Sequence, residues 1–83
     1  MFSRQFPEEL HIGQKVLVRF SPTSHPIPAI ITLINAEEGF VHVNPVGYKV
    51  RWQANPRAIT TTKGQFLHFT ENTFYYSDQP NVA

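Results

Sequence analysis

The residues of this chain that could do chemistry are histidines, a few serines and two adjacent carboxylate pairs. The histidines are His11, His25, His42 and His68. None is two or four residues from another, the short spacing with which two histidines bind one metal ion. Glu8-Glu9 and Glu37-Glu38 are neighbours, and neighbouring side chains of an extended chain point to opposite faces. Such pairs cannot flank one substrate bond as acid and base. We therefore predict no catalytic residue, no metal ion and no cofactor.

Nucleophilic and phosphate-binding motifs are missing as well. Ser21, Ser24 and His25 lie close together in a proline-rich stretch, without the Gly-x-Ser-x-Gly elbow that presents a nucleophile. Each of the four glycines stands alone, whereas a loop that cradles phosphate needs several. The chain has no cysteine, which excludes disulfides and cysteine-based zinc sites.

Charge is distributed unevenly. The whole chain carries a net charge of +1, but residues 10–70 contain six basic and two acidic residues, a net of +4. We predict a basic binding face from these side chains: Lys15, Arg19, His42, Lys49, Arg51 and Arg57. Phe20, Tyr48 and Trp52 interleave with them, as in many small domains that bind single-stranded nucleic acid. Strand alternation, however, places these aromatics on the face opposite the cations.

Aromatic residues are concentrated near the C-terminus, with five in residues 66–76. In a hairpin only one face can pack on a small core, so some aromatic surface should remain exposed and form an interface. The predicted interface residues are Phe66, Phe69, Phe74, Tyr75 and Tyr76. The alternative is that these rings fill the core of a domain that has little core to spare.

The elements that must position these residues are strands. Residues 15–20 alternate, with Val16, Val18 and Phe20 on one face. Residues 29–35 and 40–44 form a hairpin through a turn at 36–39, and further strands are predicted at 48–52, 58–62, 65–70 and 73–77. Proline or glycine punctuates the chain between them, which favours a sandwich or a small barrel. We choose a barrel because closure removes exposed edges.

The layout of residues 13–59 resembles that of SH3-like small barrels. The features are a Gly13-Gln14-Lys15-Val16 entry, a long polar loop, a hairpin and a short break before a final strand. The predicted fold is all-β: an SH3-like small barrel of five or six antiparallel strands with a C-terminal hairpin. One domain spans 1–83, with an N-terminal arm (1–11), the barrel (12–77) and a loose tail (78–83). The layout is also similar to that of tetrameric plasmid-type dihydrofolate reductases, but their Val-Gln-Ile-Tyr motif is missing, so that activity is not transferred.

Three functions remain open. The first is a small non-catalytic interaction module that associates with copies of itself. The second is a nucleic-acid-binding barrel that uses the basic face, and the third is an oligomeric enzyme whose site forms at a subunit pore. No apolar stretch approaches the ~20 residues of a membrane-spanning helix, and residues 1–9 lack the apolar region of a signal peptide. We therefore expect a soluble cytoplasmic protein with no membrane partner.

Overall fold

Alternating apolar residues produce seven β-strands in the computed structural model, which describes residues 9–21 and 23–80. The strands are β1 (Lys15–Val18), β2 (Ile27–Asn35), β3 (Phe40–Pro45), β4 (Trp52–Ala54), β5 (Ile59–Thr61), β6 (Phe66–Thr70) and β7 (Thr73–Ser77). They form one antiparallel sheet in the order β4-β3-β2-β1-β5-β6-β7. The prediction of an all-β chain is confirmed.

The strand pairing is open rather than closed, which corrects the prediction of a closed barrel. β5 has β1 on one side and β6 on the other, so it has no edge left for β4. β4 and β7 lie at the two ends of the sheet order. The C-terminal hairpin thus extends the sheet at the place where closure was expected.

The core lies on one face of the sheet, as the alternation predicts. Val16 and Val18 of β1 are buried, while Lys15 and Arg19 are exposed. The remaining buried apolar residues come from each of the other six strands: Ala29, Ile31, Val41, Val43, Ala54, Ile59, Leu67 and Tyr76. Burying large aliphatic side chains of this kind contributes about 1.5–3 kcal/mol each.

A β-bulge changes the face that the end of β2 presents. Ile31 pairs with Val43 and Leu33 pairs with His42, so Thr32 is an extra residue in the ladder. Alternation predicts Leu33 on the buried face, but the bulge exposes Leu33 and turns Ile34 onto the core instead. An inserted residue shifts the register by one and so reverses which side chains point inward.

The predicted strand at 48–52 is wrong, because β4 begins only at Trp52. Residues 46–51 form an exposed loop that starts with a turn in which the Tyr48 N–H donates to the Pro45 carbonyl at 3.1 Å. The Asn44 side-chain amide, oriented so that its nitrogen donates, bonds the carbonyls of Tyr48 at 2.8 Å and Val50 at 2.7 Å. These local bonds take the place of ladder bonds to a neighbouring strand.

The predicted chain break before β5 is a 3₁₀ turn at Pro56–Ala58. Asn55 caps it, since its Oδ1 accepts from the Arg57 N–H at 2.9 Å. β5 then pairs with β1, and the Arg19 N–H donates to the Ala58 carbonyl at 2.9 Å. The turn therefore lies directly beside the residue that follows β1.

The C-terminal hairpin forms as predicted, with β6 and β7 joined at Glu71 and Asn72. Both turn residues have positive φ, 51° and 61°, which is the backbone of the type I′ turns favoured in two-residue hairpins. Of the predicted N-terminal arm and C-terminal tail, residues 1–8 and 81–83 lie outside the described residues. Over the described ranges, the chain has no helix long and apolar enough to cross a membrane.

Candidate binding surface

Two of the predicted basic residues are brought together at the 3₁₀ turn. Arg19 follows β1 and Arg57 lies within the turn, and both side chains line one surface depression with Phe20, Asn55 and neighbouring small residues. The backbone bond between Arg19 and the turn fixes this arrangement. Two exposed guanidinium groups on one depression favour an anionic ligand, because each can donate a charge-assisted pair of hydrogen bonds.

An aromatic pair adjoins the two arginines. The rings of Phe20 and Trp52 meet edge to face, with centroids 3.9 Å apart and planes at 81°. Phe20 packs against the core, whereas Trp52 keeps 42% of its surface exposed. Phe20 thus connects an exposed indole to the depression of the two arginines, which Phe20 itself lines.

The loop before β4 adds two cations and a third aromatic ring. Tyr48, Lys49, Val50 and Arg51 are all exposed, and they line a second depression with Thr32 and Asn44. Tyr48 is 64% exposed. The hydrogen bonds from Asn44 to this loop, described above, hold its backbone in place while its side chains face solvent.

These residues form one surface, which we call the basic–aromatic surface: Arg19, Phe20, Tyr48, Lys49, Arg51, Trp52 and Arg57. Phe20 lines the first depression, and its ring partner Trp52 directly follows Arg51 of the second in the chain, although Trp52 itself lines neither. No ion pair joins any of its four cations to another residue of the described ranges. Glu38 lines a separate depression with Asn55 and Pro56. Because Asn55 also lines the depression of the two arginines, this acid lies at one border of the surface.

Two predicted members of the basic face lie elsewhere. Lys15 is exposed at the start of β1, opposite Ile30, and lines neither depression. His42 lies half-buried on β3, opposite Gln53 of β4 and stacked on Phe40 with ring centroids 5.3 Å apart. Lys49 and Arg51 precede β4, so neither is paired with His42 across the β3–β4 ladder. Strand pairing therefore does not bring His42 beside these two members of the predicted basic face.

The predicted aromatic interface is mostly turned inward. Tyr76 is only 2% exposed, and its hydroxyl donates to Gln14 Oε1 at 3.0 Å. Phe69 and Phe74 are half-buried and pack together, with ring centroids 4.6 Å apart. Phe66 is half-buried, on the other face of the hairpin, and lines a further depression beside Arg19 and Arg57.

The aromatic that remains well exposed in the hairpin is Tyr75. Its ring stacks on His68 of the neighbouring strand, with centroids 5.1 Å apart and planes at 11°. It keeps 45% of its surface exposed. Of the five rings, Tyr76 belongs to the core and Phe74 packs against it, so the alternative in which the rings fill the core applies to these two.

From the sequence, Phe20, Tyr48 and Trp52 are expected on the face opposite the cations, whereas in the structure Phe20 and Tyr48 line depressions together with them. The sequence signal for the observed position of Tyr48 is the turn-forming stretch Asn44-Pro45-Val46-Gly47. The irregular backbone that begins at this turn continues to residue 51, so these residues do not alternate as a strand would. Within residues 9–21 and 23–80 no group of three or more potential ligands is placed to hold a metal ion. Comparison of the chain with protein-family models, with curated proteins and with solved structures finds no match.

Proposed function

We propose that this chain is a small non-catalytic binding module that binds an extended polyanion through the basic–aromatic surface. The observation that carries the proposal is the exposure of four cations on two depressions, none of them paired with a described acid. A surface with a concentrated positive potential attracts anionic polymers and releases their counterions on binding.

We also propose that its first five strands have the SH3-like arrangement. Three features support this assignment: the order β4-β3-β2-β1-β5, the central place of β1, and the 3₁₀ turn that leads into β5. In this arrangement β6 and β7 are an added hairpin. The binding surface then draws on the loop after β1, the loop between β3 and β4, and the 3₁₀ turn.

The polyanion proposal predicts a strong dependence on salt. Four neutralised charges give a slope of about −3 in log affinity against log salt, using the value for single-stranded polymers. Affinity should then fall about 50-fold between 50 and 200 mM salt. Fluorescence anisotropy with a labelled heparin fragment and a labelled oligonucleotide measures this slope.

A matched pair of variants tests where the polymer binds. Arg57→Gln removes a cation of the basic–aromatic surface and should reduce the slope by about 0.7. Lys15→Gln removes an exposed cation outside the surface and should leave the slope nearly unchanged. Undetectable binding of both polymers at low salt, or equal effects of the two variants, would overturn the proposal.

Self-association, the first function expected from the sequence, remains a prediction that now depends on Tyr75 in the hairpin. The oligomeric enzyme with a site at a subunit pore requires a closed assembly. Sedimentation equilibrium at high micromolar concentration tests both. A monomeric mass would exclude the oligomeric enzyme. An oligomer whose mass is unchanged by Tyr75→Ser would exclude the hairpin as its interface.

A further inference from the structure

We infer that the polyanion is single-stranded nucleic acid, whose unpaired bases stack on Tyr48 and Trp52. The inference rests on the proposed function and adds to it the chemical class of the ligand. It follows from three properties of the basic–aromatic surface: the exposure of its rings, their position among the cations, and the shape of the elements that carry them.

The exposure of Tyr48 and Trp52 indicates a ligand with rings of its own. The two residues are 64% and 42% exposed, although large aromatic side chains are usually among the more buried residues of a domain. A polyanion without rings, such as a polysaccharide sulfate, needs only the arginines and lysine. A base has a π-face whatever its identity, and its stacking on an aromatic side chain strengthens binding without requiring a sequence.

The order of residues along the loop fits a polymer in which charge and ring alternate. Tyr48 and Trp52 bracket Lys49 and Arg51, and this segment extends over at most about 14 Å. Each nucleotide of a single strand presents one phosphate and one base. The cations can therefore contact the backbone while the rings at either end receive bases.

The elements that carry the surface favour a single strand over a duplex. A protein reads the major groove of a duplex with an α-helix or a two-stranded ribbon. Here the surface consists of loops, the first residue of β4 and a 3₁₀ turn, and the part of the chain that the structure describes contains no α-helix. In a duplex the faces of the bases are also already stacked on one another, so the two rings would have no base to receive.

The single tryptophan of the chain allows the stacking to be measured directly. The test titrates the protein at low salt with an oligothymidine of about 12 nucleotides, within the site sizes of known single-strand binders. Stacking of a base on Trp52 should quench its fluorescence. Three competitors follow: a duplex of the same length, a heparin fragment and a polyglutamate peptide. We expect the single strand to bind at least tenfold more tightly than each of them.

Matched tyrosine variants separate stacking from charge. Tyr48→Ser should lower the affinity for oligothymidine about tenfold, a typical loss for one stacked base. Tyr75→Ser removes a comparably exposed ring outside the surface and should change the affinity less than twofold. Anisotropy of a labelled oligonucleotide gives both values, and a thermal melt of each variant establishes that it is folded.

The possible outcomes distinguish this inference from the function on which it rests. If heparin and oligothymidine bind equally, and Arg57→Gln weakens both while Tyr48→Ser weakens neither, the polyanion module stands and the base-stacking inference is overturned. Preference for the duplex or for polyglutamate also overturns it. If no polyanion binds at low salt, both the inference and the proposed function fail.

Discussion

The C-terminal hairpin and the loop before β4 are both predicted as strands from the sequence, but only the hairpin forms them. Both alternate bulky apolar residues with polar ones, and both contain tyrosines. In the hairpin, Leu67 and Tyr76 face each other across the ladder and are buried in the core. In the loop, Val46, Tyr48 and Val50 are all exposed.

The difference lies in what covers each segment. The hairpin continues the sheet beyond β5, so its inner face packs against the core that β1 and β5 begin. The loop leaves the sheet after Pro45 and returns at Trp52, held by the Asn44 side chain rather than by a partner strand. Alternation determines which side chains share a face, but only the strand pairing determines whether that face is covered.

The largest effect should come from removing the anchor of the hairpin. Leu67 is fully buried, so Leu67→Ala should reduce the free energy of unfolding by about 2–5 kcal/mol through lost burial and an unfilled cavity. Val50→Ala, the matched change in the loop, should stay within about 0.5 kcal/mol. Urea denaturation measures both. Similar losses for the two variants would mean that the loop is covered in solution.

The next largest effect tests how tightly the hairpin packs on the β2–β3 turn. Gly39 has φ of 77°, and a Cβ there would lie 2.8 Å from Cε2 of Phe69. Gly39→Ala should destabilise by about 2–3 kcal/mol through backbone strain and overpacking together. Gly47 has φ of 90° but open space around it, so Gly47→Ala should cost only about 1 kcal/mol of strain. Equal costs in thermal denaturation would show that Phe69 does not pack on the turn.

A smaller loss of stability is expected when the buried tyrosine of the hairpin loses its hydroxyl, and almost none when the exposed one does. Tyr76→Phe removes the hydroxyl that donates to Gln14 and should lower the free energy of unfolding by about 1 kcal/mol. Tyr75→Phe removes a hydroxyl from an exposed ring and should change it by less than about 0.5 kcal/mol. Chemical denaturation measures the free energy of unfolding of both variants. A larger loss for Tyr75→Phe than for Tyr76→Phe would contradict the placement of the two rings.

The smallest effect on stability concerns the loop itself. Asn44→Ala removes the amide that holds the carbonyls of Tyr48 and Val50, whose own side chains are exposed. Because water can replace these bonds, the loss of stability should stay below about 1 kcal/mol. Amide exchange in residues 46–51 should accelerate nonetheless. Unchanged exchange would show that the loop does not depend on Asn44.

Much of the strand pattern follows from the sequence, because the period of two is a local property. Val16 and Val18, the hairpin of β2 and β3, and the turn at Glu71 and Asn72 all lie where alternation and turn residues place them. These features depend only on neighbours in sequence, which is why the prediction succeeds.

The failures have causes that the period of two does not encode. The bulge at Thr32 reverses which side chains at the end of β2 point toward the core, and no proline or glycine beside it indicates the bulge in the sequence. The loop at 46–51 depends on one side chain, Asn44, that competes with the ladder. The open sheet depends on β6 pairing with the edge of β5 that closure would have left for β4, and alternation does not decide between these two partners. The cations of the candidate site were predictable from charge alone, but the exposure of Tyr48 beside them depends on the loop at 46–51.

The account is tested most directly by the accessibility of Trp52 to acrylamide, measured before and after addition of single-stranded oligothymidine. The indole is 42% exposed and is the single tryptophan of the chain, so its fluorescence reports on the basic–aromatic surface alone. We predict efficient quenching by acrylamide in the free protein and strong protection in the complex. A tryptophan already shielded in the free protein, or one whose quenching the oligonucleotide leaves unchanged at saturation, would contradict the account.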